Sequence, residues 1–219
     1  MPAIYFISGL GADSRAFTLI REFEGYRNVF LEWIAPQKNE PLAAYANRMF
    51  ADYELTEQDV LVGLSFGGLV ALEISKTNPI KKVILLSSFR DKKDLKGSMQ
   101  FLLNLRLYNL LPNFKMRWFD KIAVGFFGVK TREARDGLLD MFQHTDPKLV
   151  KWSLRQIRLS HYSDLCGVKL FNILGTKDQL VAYWKLPDHN FFIEGAGHLM
   201  VYEQADEVNQ HLAKILQHP

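Results

Sequence analysis

The chain has 219 residues, 48% of them hydrophobic and 23% charged, with a net charge of +3 and one cysteine. This length and balance suit one globular domain with a sizeable core and do not suit a disordered chain. A lone Cys166 excludes an intramolecular disulfide and any cysteine-based metal site.

Met1-Pro2-Ala3 leads straight into the apolar Ile4-Tyr5-Phe6-Ile7. No basic leader region precedes it, so no signal peptide is expected, and no apolar run is long enough for a membrane span. The expectation is a soluble, cytoplasmic protein. Charge is unevenly placed. Residues 90–160 carry fifteen Lys and Arg against seven Asp and Glu, a balance of +8, which leaves −5 for the remainder.

In chain order, Ala3–Ser8 predicts a strand and Gly9-Leu10-Gly11-Ala12 a tight loop. Asp13 or Ser14 can then cap a helix through Phe17, Leu19, Ile20 and Phe23. Asn28–Ile34 predicts a second strand. Pro36 and Pro41 mark a loop, and Leu42–Leu55 is patterned as an amphipathic helix. Asp59–Val62 is a short apolar strand. A glycine-rich turn at Gly63–Gly67 leads into a helix reaching Thr77, and Val83–Ser87 is the next strand. Such alternation predicts a parallel sheet covered by helices on both faces.

From Phe89 to His161 the pattern is helical throughout, rich in Leu, Phe, Met and Trp. Four helices are expected, over Leu95–Leu111, Asn113–Phe127, Thr131–His144 and Pro147–Ser160, with Pro112 and Pro147 as breaks. Strands then return at Val168–Leu174 and Asn190–Ile193. A last helix spans about Glu203 to Gln217. The expected division is a core of residues 1–88 and 162–219, with 89–161 inserted over the carboxyl edge of the sheet.

Gly63-Leu64-Ser65-Phe66-Gly67 is a G-x-S-x-G pentapeptide at a strand–turn–helix junction. Such a turn projects the serine Oγ above the sheet, and the helix behind it adds a partial positive charge. Ser65 is therefore a candidate nucleophile, and it needs a base that is itself oriented by a third group. Of six histidines, His198 stands out, in the glycine-flanked loop Glu194-Gly195-Ala196-Gly197-His198 after a predicted strand. His189 fits a surface turn, His211 and His218 lie on or beyond the terminal helix, and His144 and His161 lie in or at the end of the insertion.

Asp178 is the candidate acid, in Gly175-Thr176-Lys177-Asp178 at a strand's carboxyl end, where open α/β sheets place their sites. Asp164 and Asp188 follow strand ends less cleanly. Donors for a tetrahedral oxyanion are expected from the N–H groups of Phe66 and Leu10, the latter in Ser8-Gly9-Leu10-Gly11. A phosphate cradle in that loop is disfavoured by the lack of both G-x-G-x-x-G and a Walker lysine.

Together these four motifs resemble the α/β-hydrolase fold, in particular small bacterial esterase-like members with a helical cap. The resemblance spans nearly the whole chain. It implies Ser65 as nucleophile, His198 as base, Asp178 as acid, and Leu10 and Phe66 as the oxyanion hole, in the serine–acid–histidine chain order of that fold. It also implies no cofactor and no metal.

The sequence departs from the pattern in three places. Ser8 stands where the family usually has histidine before the loop glycine. The chain starts at what is normally the third strand, implying a shorter sheet. Gln179-Leu180-Val181-Ala182 lacks a proline often found after the acid.

The expected activity is hydrolysis of a small-molecule carboxylic ester with an apolar acyl or alkyl group. Candidate lining residues of the cap are Met99, Phe101, Leu102, Phe114, Met116, Trp118, Phe119, Phe126, Phe127 and Met141. Simple packing of cap helices onto the core is the plainer account of most of them. Leu95–Leu111 is apolar on too many sides for a surface helix, so it is expected to be buried or to act as a lid. The alternatives are an acyltransferase on the same fold, or a slow-turnover ligand-binding or signalling protein that retains the triad. Nucleic acid is not an expected partner, because the basic residues lie in an apolar-rich segment without a recognition motif. The sequence leaves the oligomeric state open.

Overall fold

A computed structural model describes residues 1–110, 127–162, 165, 167–186 and 189–217. The helix expected from Asn113 falls outside this set up to Phe126, and with it Phe114, Met116, Trp118 and Phe119. Asp164, Cys166, Asp188 and His218 also lie outside it.

Six strands form one sheet: β1 (Ala3–Ile7), β2 (Arg27–Leu31), β3 (Val60–Leu64), β4 (Lys82–Leu86), β5 (Lys169–Gly175) and β6 (Asn190–Ile193). Their spatial order is β2-β1-β3-β4-β5-β6, and every neighbouring pair is parallel. The register aligns the carboxyl ends: Leu64 lies opposite Leu86, and Leu86 opposite Ile173. Loops leaving these strands therefore collect at one edge. The central strands are buried on both faces, as near-continuous apolar runs in parallel sheets must be.

Alternation along the strands feeds two cores. Tyr5, Ile7, Leu61, Val83, Leu85 and Leu174 face one side, and Ile4, Phe6, Val62, Leu64, Ile84 and Ile173 face the other. Helices α1 (Leu42–Met49) and α2 (Phe66–Ser75) cover the first side, and a terminal helix (Ala205–Gln217) covers the second.

Between β4 and β5 lie α3 (Gly97–Asn104), α4 (Arg132–His144) and α5 (Pro147–Leu159). The Thr131 side chain caps α4, and the Asp146 side chain caps α5 with Pro147 in its first turn. Ala134, Leu138 and Met141 of α4 join the second core, and Leu149, Trp152 and Ile157 of α5 join the first. The inserted helices thus straddle both sides of the sheet.

Four elements differ from expectation. The helix through Phe23 is only a 3-10 turn at Ser14–Phe17, because distant groups take up the backbone beyond it. Asn209 donates to Leu19 O and accepts from Arg21 N, both at 2.9 Å. Helix α1 stops at Met49 instead of Leu55, closing on a turn in which Tyr53 N donates to Phe50 O. The span Leu95–Leu111 is broken, since Leu95 forms a β-bridge with Val181 and Lys96 N donates to Leu180 O. Arg106, with φ 55°, follows Leu105 and ends α3. The final helix is preceded by a separate turn of helix, Met200–Glu203, broken at Gln204.

Candidate active site

Ser65 sits between β3 and α2 with φ 51° and ψ −117°, a conformation that costs energy for any residue with a Cβ. Its neighbours hold it there. Ser65 N donates to Leu86 O at 2.9 Å, and Ser65 O accepts from Gly68 N at 3.0 Å and from Ser88 Oγ at 2.6 Å. Gly67 lets the turn lie against β1, since a Cβ on it would fall 2.3 Å from Ile7 O and 2.4 Å from Ser8 O.

The loop after β5 carries Asp178, and the loop after β6 carries His198. Lys177 N donates to Ala196 O at 2.9 Å and Gly195 N to Thr176 Oγ1 at 2.8 Å, locking the two loops together. Gly175 allows the approach, because a Cβ there would meet Ala196 O at 2.4 Å. His198 Nδ1 then lies 2.7 Å from Asp178 Oδ2, and His198 Nε2 lies 2.9 Å from Ser65 Oγ. Asp178 and His198 are only 1% exposed, and Ser65 is half-buried.

Asp178 Oδ1 accepts from Leu180 N at 2.7 Å and Val181 N at 3.0 Å. A carboxylate can only accept, so it selects the tautomer with the proton on Nδ1 and leaves Nε2 free to accept from the serine hydroxyl. Three residues that are distant in sequence thus form one directed chain of hydrogen bonds.

The loop after β1 runs beside Ser65, where a Cβ on Gly9 would stand 3.2 Å from Ser65 Cβ. Ala12 N closes the loop onto Gly9 O at 3.1 Å, with Leu10 at its bend. Ser8, which replaces the usual histidine, turns its Oγ to Ala12 O at 2.9 Å and supports the loop from within. Phe66 is buried at the start of α2.

Residues between β4 and β5 touch three parts of this site. Phe127 packs tilted on the His198 ring at 5.4 Å, and Trp152 meets Phe66 edge-on at 5.9 Å. Phe142 lies so close to Gly11 that a Cβ there would fall 2.1 Å from its ring. Among the expected lining residues, Met99 and Leu102 are half-buried, and Met141 is buried in the second core. Phe101 is 62% exposed and packs on none of this. The other described histidines lie elsewhere. His161 pairs with Asp91, His144 bonds Asp140 O, His189 packs on Phe171 and His211 on Phe191.

Ser88 belongs to this site although the sequence did not single it out. Its only signal was the pair of small polar residues, Ser87-Ser88, directly after an apolar strand. Among the described residues, no group of three or more His, Cys, Asp or Glu is placed to hold a metal ion. Among the same residues, no helix is long and apolar enough to cross a membrane.

A family model described as the alpha/beta hydrolase family matches residues 4–211. The chain belongs to that family. Its fold is similar to several solved structures. One is an esterase from Exiguobacterium antarcticum, with TM-score 0.73 and 16% identity over 99% of this chain and 92% of that one. Another is a bromoperoxidase from Bacillus anthracis, with TM-score 0.74 and 17% identity over 99% and 92%. A third is a variant of an N-acyl homoserine lactonase, with TM-score 0.77 and 15% identity over 99% and 88%. At these identities the likeness establishes the α/β-hydrolase fold. A sequence comparison with curated proteins finds no match.

Proposed function

We propose that the protein is a serine hydrolase that cleaves a small-molecule carboxylic ester through an acyl-enzyme. The observation that carries this is the chain from buried Asp178 and His198 to the half-buried Ser65 Oγ, with contacts of 2.7 and 2.9 Å. Ser65 Oγ attacks the ester carbonyl as its proton passes to His198 Nε2. Asp178 holds the tautomer and steadies the imidazolium. The N–H groups of Phe66 and Leu10 receive the oxyanion, with the N-terminal end of α2 adding positive potential. Collapse of the intermediate expels the alcohol, which takes the proton back from His198. Water then repeats the sequence on the acyl-enzyme and releases the acid.

Residues 89–161 act in this proposal as a cap. Phe127, Phe142 and Trp152 bring apolar surface to the base, the oxyanion loop and the first residue of α2, which favours an apolar acyl or alkyl group. A fluorophosphonate probe tests the nucleophile: the native chain should be labelled and Ser65→Ala should not. A series of p-nitrophenyl esters of increasing chain length then reads the acyl preference, and added alcohol or thiol acceptors would reveal an acyltransferase. Absence of Ser65-dependent labelling would sink the proposal.

A further inference from the structure

Trp33 lies two residues past the end of β2, on the edge of the sheet, yet it reaches two parts of the site. Its indole Nε1 donates to Ala12 O at 2.9 Å. Its ring stacks on Phe66 at 5.6 Å with an interplanar angle of 27°. Ala12 is the residue whose amide closes the turn around Leu10, and its carbonyl also receives Ser8 Oγ at 2.9 Å. One side chain therefore touches the loop that carries one expected oxyanion donor and the residue that carries the other.

Trp33 is itself held in place. Tyr45 packs beside it at 6.4 Å, and the Tyr45 hydroxyl donates to Ile34 O at 2.8 Å while accepting Ile34 N at 3.2 Å. Burial pushes the Tyr45 phenol up to about 12, so the hydroxyl keeps the proton it donates throughout the neutral range. The residue next to Trp33 is thus clamped at both its backbone polar groups.

We propose that Trp33 is a positioning residue of the oxyanion hole, fixing the Leu10 loop through the Ala12 carbonyl and Phe66 through the ring stack. The short Ser8 side chain, in a position where a histidine is usual, gives the loop one donor, and the indole supplies a second from across the strand. The role rests on the serine-hydrolase proposal above. A pair of donors held to a fraction of an ångström is worth more than the same donors on a loose loop, because preorganisation is where such stabilisation originates.

Trp33→Phe keeps a six-membered aromatic ring against Phe66 and removes the N–H donor together with the rest of the pyrrole ring. Active sites are counted by the final extent of fluorophosphonate labelling, so that any misfolded fraction drops out. Removing an oxyanion donor outright costs about 10²–10³ in kcat, and an indirect support should cost less. The expected result is kcat per site reduced about tenfold, with KM changed by less than about twofold. A boronic acid inhibitor should weaken by a similar factor, since its adduct on Ser65 places an oxygen in the hole.

Ser8→Ala should move the same two quantities more mildly. The double variant should fall short of the product of the two single effects, because both donors serve one carbonyl. Trp33→Phe with kcat per site and boronate affinity both within twofold of the native chain would overturn the inference while leaving the hydrolase standing. A native chain that shows no Ser65-dependent labelling would overturn both.

Discussion

Ser88 Oγ donates a 2.6 Å hydrogen bond to Ser65 O, the same oxygen that accepts the Gly68 amide. Ser88 is fully buried, two residues past the end of β4, so its hydroxyl is shielded from water. It restrains the carbonyl of a residue whose φ of 51° is unfavourable. Ser88→Ala should therefore cost about 1 kcal/mol of stability, read from urea unfolding. On the proposed mechanism it should also lower kcat several-fold at constant KM, because Ser65 Oγ is aimed less well while the substitution lies beneath the turn, on the carbonyl side of Ser65. Equal kcat in the two proteins would mean that the remaining bond from Gly68 suffices.

Gly67 tolerates no side chain, because the obstacles are backbone carbonyls, that of Ile7 at the end of β1 and that of Ser8 just beyond it. Gly67→Ala should cost roughly 3 kcal/mol or more, placing it among the most damaging single substitutions. At this chain length that is a fall in melting temperature of roughly 6–12 °C. Gly97→Ala is the control: a Cβ there meets nothing within 4 Å, and the position opens α3. It should be neutral or stabilise by about 0.5 kcal/mol, through the reduced freedom of the unfolded chain. Thermal unfolding of the two variants side by side checks both signs.

These glycines explain why so much of the site was legible in the sequence. An elbow has a compact signature: Gly63-Leu64-Ser65-Phe66-Gly67 and the adjoining Gly68 place the small residues where strand, turn and helix approach most closely. Asp178 and His198 were legible for a different reason: each follows a strand, and parallel strands deliver their carboxyl ends to one edge. What stayed hidden depends on contacts across the sheet. Nothing near Leu19 or Arg21 announces that Asn209 will bond their backbone groups in place of a helix. Leu95 is patterned for a helix, and its bridge to Val181 is settled by a loop far along the chain, beyond β5. Ser88 and Trp33 matter only because β4 and β2 lie where the strand order puts them.

Glu40 anchors the far side of the insertion. Its carboxylate receives Arg48 Nε at 2.9 Å and Nη2 at 2.8 Å, and its carbonyl accepts Trp152 Nε1 at 2.8 Å. Hydrogen bonding to the Arg48 guanidinium, opposed by burial, holds the Glu40 carboxyl below the ordinary glutamate range. A depressed value in the folded state means that the stabilisation is present above the unfolded value and lost as pH falls through the folded one. Glu40→Gln should thus destabilise at neutral pH by about 1 kcal/mol, since Arg48 is partly exposed. That difference should shrink once the pH drops below roughly 4. Urea unfolding of both proteins across this range measures it. A gap that persists undiminished in acid would show that shape, not charge, is responsible.

Asp178→Asn preserves the size of the side chain and leaves an oxygen for Leu180 N and Val181 N, so the loop should stay folded. What changes is the partner of His198 Nδ1. An amide NH₂ in place of Oδ2 favours the opposite tautomer, with the proton on Nε2, where it cannot accept from Ser65. The proposed chemistry then predicts a fall in kcat of roughly 10⁴ with little change in melting temperature. Fluorophosphonate labelling should slow in parallel. A loss of less than about tenfold would remove Asp178 from the proposed role.

Glu203 joins the insertion to the loop that carries His198. Its Oε1 accepts Lys130 N at 2.5 Å and Thr131 N at 2.9 Å, at the entry to α4, where a carboxylate is also favoured by the helix dipole. Lys130 Nζ returns the link by donating to Gly195 O at 2.7 Å. Phe127, a few residues before this clasp, is the side chain packed on His198. Glu203→Ala removes the shared acceptor and should leave two amides without a protein partner. Hydrogen exchange at Lys130 and Thr131 should accelerate by about tenfold or more, the equivalent of about 1.5 kcal/mol or more of charge-assisted hydrogen bonding. Glu203→Gln, which keeps one acceptor oxygen, should lie between the two. Because the clasp fixes where Phe127 meets the imidazole, kcat should decline in the same order as exchange rises. Faster exchange with unchanged kcat would mean that Phe127 is held by packing alone.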